Sequence, residues 1–106
     1  MINEQRKSPR KVLKAKAVLA MEGMPPIPAR TLDIAANGIA VSTPHQLPVG
    51  ATGKLSFDLY FEGKMMPISA RARALYCIIS NGEFKIGFQF ISVDLTSMTT
   101  LAKFLR

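Results

Sequence analysis

One cysteine, Cys77, one histidine, His45, and no tryptophan occur among the 106 residues. A single thiol excludes an intrachain disulfide. With no second sulfur and no His/Glu pair at metalloenzyme spacing, a thiolate metal site and Cys-His nucleophilic catalysis both lack their residues, and no metal site is expected. Acids are scarce as well, seven Asp and Glu against fourteen Lys and Arg. There is no paired-carboxylate arrangement, no nucleophile-base set and no glycine-rich phosphate loop leading into a helix, so the chain is not expected to be an enzyme. No stretch approaches the roughly eighteen uncharged apolar residues of a helical membrane span. The apolar run near the N-terminus is interrupted by Lys14 and Lys16, which makes a poor secretory signal, and a cytoplasmic location is expected.

What is present is enough for one domain with one core. Hydrophobic residues make up 48% and charged residues 20%, an ordinary globular balance. The net charge of +7 points to a polyanionic partner: nucleotide, nucleic acid or an acidic surface. Its distribution is uneven, since Arg6, Lys7, Arg10, Lys11, Lys14 and Lys16 all lie in the first sixteen positions, against the single acid Glu4. Residues 1–11 read as a flexible basic arm, and residues 12–106 as the folded unit.

Alternation with period two dominates that unit. Leu13, Ala15, Ala17, Leu19 and Met21 share one face of an extended run over 12–22, and Gly23-Met-Pro-Pro separates it from a second over 27–34, joined as a hairpin. Asn37-Gly38 is a turn pair before a short apolar strand over 39–43. Pro44 to Gly50 is a loop. Leu55, Phe57, Leu59 and Phe61 alternate with polar residues, and the Glu62-Gly63-Lys64 turn leads into a long run over 66–79. That run becomes apolar on both faces near Leu75, which predicts a bulge or bend. Asn81-Gly82 closes another hairpin, and Phe84, Ile86, Phe88 and Phe90 supply the last inward row. Met98, Leu101, Ala102 and Leu105 then fall at helical spacing, with Asp94 and Thr96 as candidate caps, predicting one helix over about 95–105 lying across the sheet. Five or six antiparallel strands with short hairpins favour closure into a small barrel, because closure removes exposed edges. Phe57, Phe61, Phe84, Phe88 and Phe90 are read as core.

Two segments carry the functional signal. Arg6-Lys-Ser-Pro-Arg10 sets two guanidinium groups four residues apart where proline opposes regular helix, an arrangement suited to reaching around an anion. Asp33-Ile-Ala-Ala-Asn-Gly38 ends an extended run with an acid, a small residue and a glycine. In order and separation they resemble the RxxxR and (D/N)x(S/A)xxG motifs of the PilZ domain family, and the likeness extends through the strands and the Ile86-Gly-Phe-Gln-Phe90 ending to the terminal helix. The resemblance implies an all-β fold with one helix: a six-stranded antiparallel β-barrel with a C-terminal α-helix. It implies cyclic di-GMP as ligand, no cofactor, and a signal passed to a separate protein partner in a process such as motility or biofilm regulation.

Under that resemblance Arg6 and Arg10 would hold phosphates and stack on guanine, Asp33 would accept from the guanine N1–H and N2–H₂ edge, and Gly38 would let ligand approach backbone. Ala35 stands where many members have serine; the missing hydroxyl is expected to cost roughly 0.5 to 1.5 kcal/mol, tenfold at most. Lys7, Asn37, Arg71, Arg73 and Tyr76 are auxiliary candidates, Tyr76 for stacking and the two arginines for extending the basic surface. Two alternatives stand beside this reading: a small basic barrel for single-stranded nucleic acid, disfavoured because only Tyr60 and Tyr76 offer stacking platforms, and a PilZ-like adaptor that binds no nucleotide. A monomer is expected, with a dimer as the alternative.

Overall fold

The structure, a computed structural model, describes residues 9–106. Its strands are β1 (Lys11–Val12), β2 (Lys16–Met21), β3 (Ile27–Ala35), β4 (Gly38–Thr43), β5 (Thr52–Phe61), β6 (Lys64–Ser80) and β7 (Glu83–Val93), followed by helix α1 (Leu95–Leu105). Six of them close antiparallel in the order β3-β2-β5-β6-β7-β4 and back to β3, while β1 adds to β3. This is the six-stranded barrel with one helix that the resemblance implies, and it falls within the five or six strands that the alternation predicts.

The first expected strand is interrupted. β1 and β2 both pair with β3, at Val12↔Asp33 and Lys16↔Arg30, and the chain between them leaves the ladder. Thr31 holds this break: its hydroxyl donates to the Leu13 carbonyl at 2.6 Å and accepts from the Ala15 amide at 2.8 Å. The paired chain therefore starts at Lys11, and the closed ring of strands at Lys16. Thr31→Val keeps the shape but removes both bonds, and a loss of about 2 kcal/mol in urea denaturation is expected; a change below about 0.5 kcal/mol would show that the break holds itself.

Inward rows follow the expected parity. Leu19, Leu55, Leu59, Ile68 and Ile86 are buried, with Phe57 and Phe88, whereas Phe61, Phe84 and Phe90 are half-buried at the margins of the core. The predicted irregularity in β6 is a bulge at Leu75, since Ala74 is opposite Phe88 and Tyr76 is opposite Gly87. Two turns have the expected left-handed residues, at Glu62-Gly63 (φ 52° and 77°) and Asn81-Gly82 (φ 53° and 78°). The turn after β3 differs. It occupies Ala36 and Asn37 without positive φ, and Gly38 is the first residue of β4.

Helix α1 starts at Asp94, whose carboxylate accepts from the Ser97 amide at 2.7 Å. Its buried face is Ser97, Thr100 and Leu101, with Phe104 and Leu105 against the core. Met98 and Ala102, expected on that face, are exposed. The reason is polar: the Ser97 hydroxyl accepts from the Ser69 amide of β6 at 3.1 Å, which turns the helix toward its small hydroxyl residues. Lys11 closes the other end, donating to the Phe104 carbonyl at 2.8 Å with its ammonium 4.9 Å from the Phe104 ring centre.

Candidate functional site

Arg10 emerges immediately before β1, and the β1–β3 pairing delivers it to Asp33. Nε donates to Asp33 Oδ1 at 2.7 Å, and Nη2 is 2.7 Å from the same oxygen. Both side chains keep solvent contact, at 45% and 30% exposure. Among the described residues nothing donates to Oδ2, so the carboxylate retains an acceptor, and the guanidinium retains a face and an outward nitrogen.

Register sets what surrounds this pair. Residues opposite one another across a sheet share a face, so Asp33, Ala40, Gly87 and Tyr76 form one outward row over β3, β4, β7 and β6. Ala35, Gly38, Gln89 and Arg73 form the next row. Small residues thus pave the outer wall between an acid and a tyrosine. A recess of about 130 Å³ lies on it, bordered by Arg10, Asn37, Gly38, Tyr76, Gly87 and Gln89 among others. A larger groove of about 460 Å³ crosses β2 and β3 near Lys16 and Arg30, but it holds neither motif.

The motif residues divide into those that face the recess and those that build it. Arg10 and Asn37 face it, and the Asn37 carbonyl accepts from the Phe90 amide at 2.9 Å, which ties the turn to β7. Ala35 has no accessible surface, so its methyl group offers nothing to a ligand in this state. At Gly38 the crowding atom is protein: a Cβ there would lie 2.2 Å from the Phe88 carbonyl oxygen. Arg71 is engaged elsewhere, with Glu22 at 2.7 Å, and this bond, helped by Thr52, holds the Glu22 carboxyl below the usual carboxylate range. Arg73 lies beside Gln89 on the recess side. Arg6 and Lys7 lie outside the described residues.

Five residues that border the recess were not read from the sequence as part of the site: Ile39, Leu75, Gly87, Phe88 and Gln89. A glycine inside the apolar run over 84–90 was the available signal for Gly87, because such a glycine marks a close approach. The approaching group is the Tyr76 ring, whose Cε2 would be 2.1 Å from a Cβ at Gly87. Tyr76 lies down on the wall instead of standing off it.

Comparison with known proteins bears on the whole chain. The PilZ domain profile matches residues 4–106, and the chain belongs to the PilZ domain family. Similar solved structures include the inhibitor of motility MotI/DgrA of Bacillus subtilis, at TM-score 0.85 and 17% identity, covering 97% of this chain and 50% of that one. The PilZ domain of YcgR from Escherichia coli with c-di-GMP gives TM-score 0.71 and 12% identity over 96% of this chain and 89% of that domain. YcgR in complex with c-di-GMP gives 0.77 and 13%, over 95% of this chain and 44% of that one. The chain therefore spans half the length of MotI/DgrA. No curated protein matches the sequence.

Proposed function

We propose that this domain is a receptor for cyclic di-GMP that binds it on the outer wall between Arg10 and Tyr76 and relays the signal to a separate protein, without catalysis. The observation that carries the reading is the Arg10–Asp33 pair bordering a wall of small residues. A guanidinium can pair with phosphate or stack on a purine, and a carboxylate with a free oxygen can accept from a guanine edge. The recess alone is too small for a dinucleotide, since ligand pockets run about 300 to 1,000 Å³. Further contacts must come from outside it. Arg6 is four residues from Arg10, about 14 Å of extended chain at most, and is the second guanidinium of the proposal. Ordering of this arm over the nucleotide would be the switch.

Two of the similar structures, both of YcgR with c-di-GMP, share this fold, which supports the reading. The nucleic-acid alternative is weakened by the placement of the tyrosines: Tyr60 is opposite Met65, eleven residues along β6 from Tyr76, roughly 35 Å at the strand rise. They cannot form one stacking track.

Calorimetric titration with cyclic di-GMP tests the proposal, with saturable binding expected at micromolar concentrations. Absence of heat and of competition up to about 1 mM nucleotide would overturn it. Tyr76→Ala is expected to weaken binding about five- to tenfold through lost stacking, measured in the same titration; unchanged affinity would remove Tyr76 from the site.

A further inference from the structure

The outer face of β2 and β5 shares no residue with the recess. Both strands are paired along each edge, β2 with β3 and β5, and β5 with β2 and β6, so their amides and carbonyls are committed and only side chains are available. Register arranges those side chains in rows. Pro28, Val18, Ser56 and Ser69 lie opposite one another in turn across β3, β2, β5 and β6, an uncharged band about 14 Å long at the spacing of strands. Val18 is 47% exposed and forms a ridge, with grooves of about 460 and 380 Å³ on its two sides. Cations flank the band at diagonal corners. Lys16 and Arg30 are opposite one another in the row before it, and Lys54, opposite Ala20, stands in the row after it. These two rows are four residues apart on β2, roughly 13 Å at the strand rise.

The other charged groups that border the band or its grooves are Glu83, Asp58 and Lys14, with Arg71 beside Lys54. Arg71 is bonded to Glu22, and the Glu83 carboxylate accepts from the Ser42 hydroxyl at 2.7 Å with Lys85 opposite Ser42, so both of these places carry balanced charge. Asp58 borders grooves that also hold Lys14, Lys16 and Lys54. Among the described residues, none of those lysines nor Arg30 has a carboxylate within 4.0 Å. Four exposed cations thus face one acid across an apolar ridge.

We propose that this face docks an acidic amphipathic helix of a partner protein, with the apolar stripe of the helix on the band and its carboxylates toward Lys16 and Arg30 on one flank and Lys54 on the other. The backbone selects a helix. An added strand needs open main-chain groups, which β2 and β5 lack, whereas a helix satisfies its own and is about 10 to 12 Å wide, close to the separation of the two cationic rows. Charge selects acid, since each cation left without a partner gains one on docking. Asp58 follows Phe57, the partner of Ala17, and so stands at the Lys16 end of β5, where it repels a carboxylate. The acids of the helix are therefore needed at diagonal corners only. A nucleic acid fits less well, because the band has no ring for a base to stack on and its cations stand on two sides of a ridge instead of along one track. The proposal does not depend on nucleotide binding.

The probe is a side-chain-stapled helical peptide of about 16 residues with a leucine stripe and glutamates on both flanks. In an NMR titration of the nucleotide-free chain, shift changes are expected at Val18, Ser56 and their neighbours, saturating with a dissociation constant on the order of 100 µM. Replacing the glutamates of the peptide by lysine, or its leucines by serine, should weaken binding at least about tenfold. Arg30→Glu and Lys54→Glu should each weaken it about fivefold or more. Lys103→Glu changes the net charge equally but lies on α1, outside these grooves, and should change it by less than about twofold. Melting temperatures beside the titrations show that the barrel is intact. No saturation up to about 2 mM peptide, an equal loss in Lys103→Glu, or shift changes confined to other faces would each overturn the proposal. So would tighter binding of oligothymidylate or of phosphatidylglycerol vesicles through the same residues.

Discussion

Gly38→Ala is expected to destabilise the barrel by about 3 kcal/mol or more, the largest single effect of any motif substitution. The added Cβ would meet the Phe88 carbonyl oxygen at 2.2 Å, and that oxygen belongs to the backbone of β7, which has no rotamer to change. Relief requires β4 and β7 to separate, and this seam, with Gly38 opposite Gln89 and Ile39 opposite Phe88, helps to close the barrel. In thermal unfolding the loss corresponds to a fall of about 10 to 20 °C for a domain of this size. A fall of less than about 4 °C would mean that the strands can part cheaply. Lost ligand binding in a Gly38 variant would therefore report the fold first.

Arg10→Ala and Asp33→Ala behave in the opposite way. Their ion pair is solvent-exposed, so each change is expected to alter unfolding free energy by no more than about 1 kcal/mol. Affinity for cyclic di-GMP should fall about 30- to 100-fold in each, because both groups make charge-assisted contacts to the ligand in the proposed complex. Arg10→Lys should fall nearly as far as Arg10→Ala, since an ammonium keeps the charge but loses the planar fork and stacking face. Calorimetry on the variants, with melting temperatures beside it, separates the two effects. Affinity within threefold of wild type in both alanine variants would remove this pair from the binding site.

The contrast between Gly38 and Arg10 shows how far the motif was legible. The sequence pattern places Asp33, Ala35 and Gly38 in one string and invites one role for all three. In the fold Asp33 holds an arginine, Ala35 is enclosed and Gly38 makes room for a carbonyl. Residue spacing along a strand reports which face a side chain takes, but not which atom of another strand stands opposite. Gln89 and Leu75 were missed for the same reason: they come to the recess through the β4–β7 and β6–β7 registers, far from either motif in sequence. The helix illustrates a second limit. Its extent and Asp94 cap follow from local pattern, but a bond from Ser69 to Ser97 turned its face by one residue from the apolar stripe.

By itself the sequence determined the period-two rows of the core, the turns at Glu62-Gly63 and Asn81-Gly82, the bulge near Leu75 and the two basic and acidic motifs. These depend on interactions within a few residues, or on the alternation that any half-buried strand must show. Tertiary structure alone decided the break at Thr31, the clash that requires Gly38, the Tyr76 ring over Gly87, and the uncharged band of Pro28, Val18 and Ser56 between two rows of cations. Each of these is set by the register between strands distant in sequence, which is fixed only when the barrel closes and every inward row packs at once.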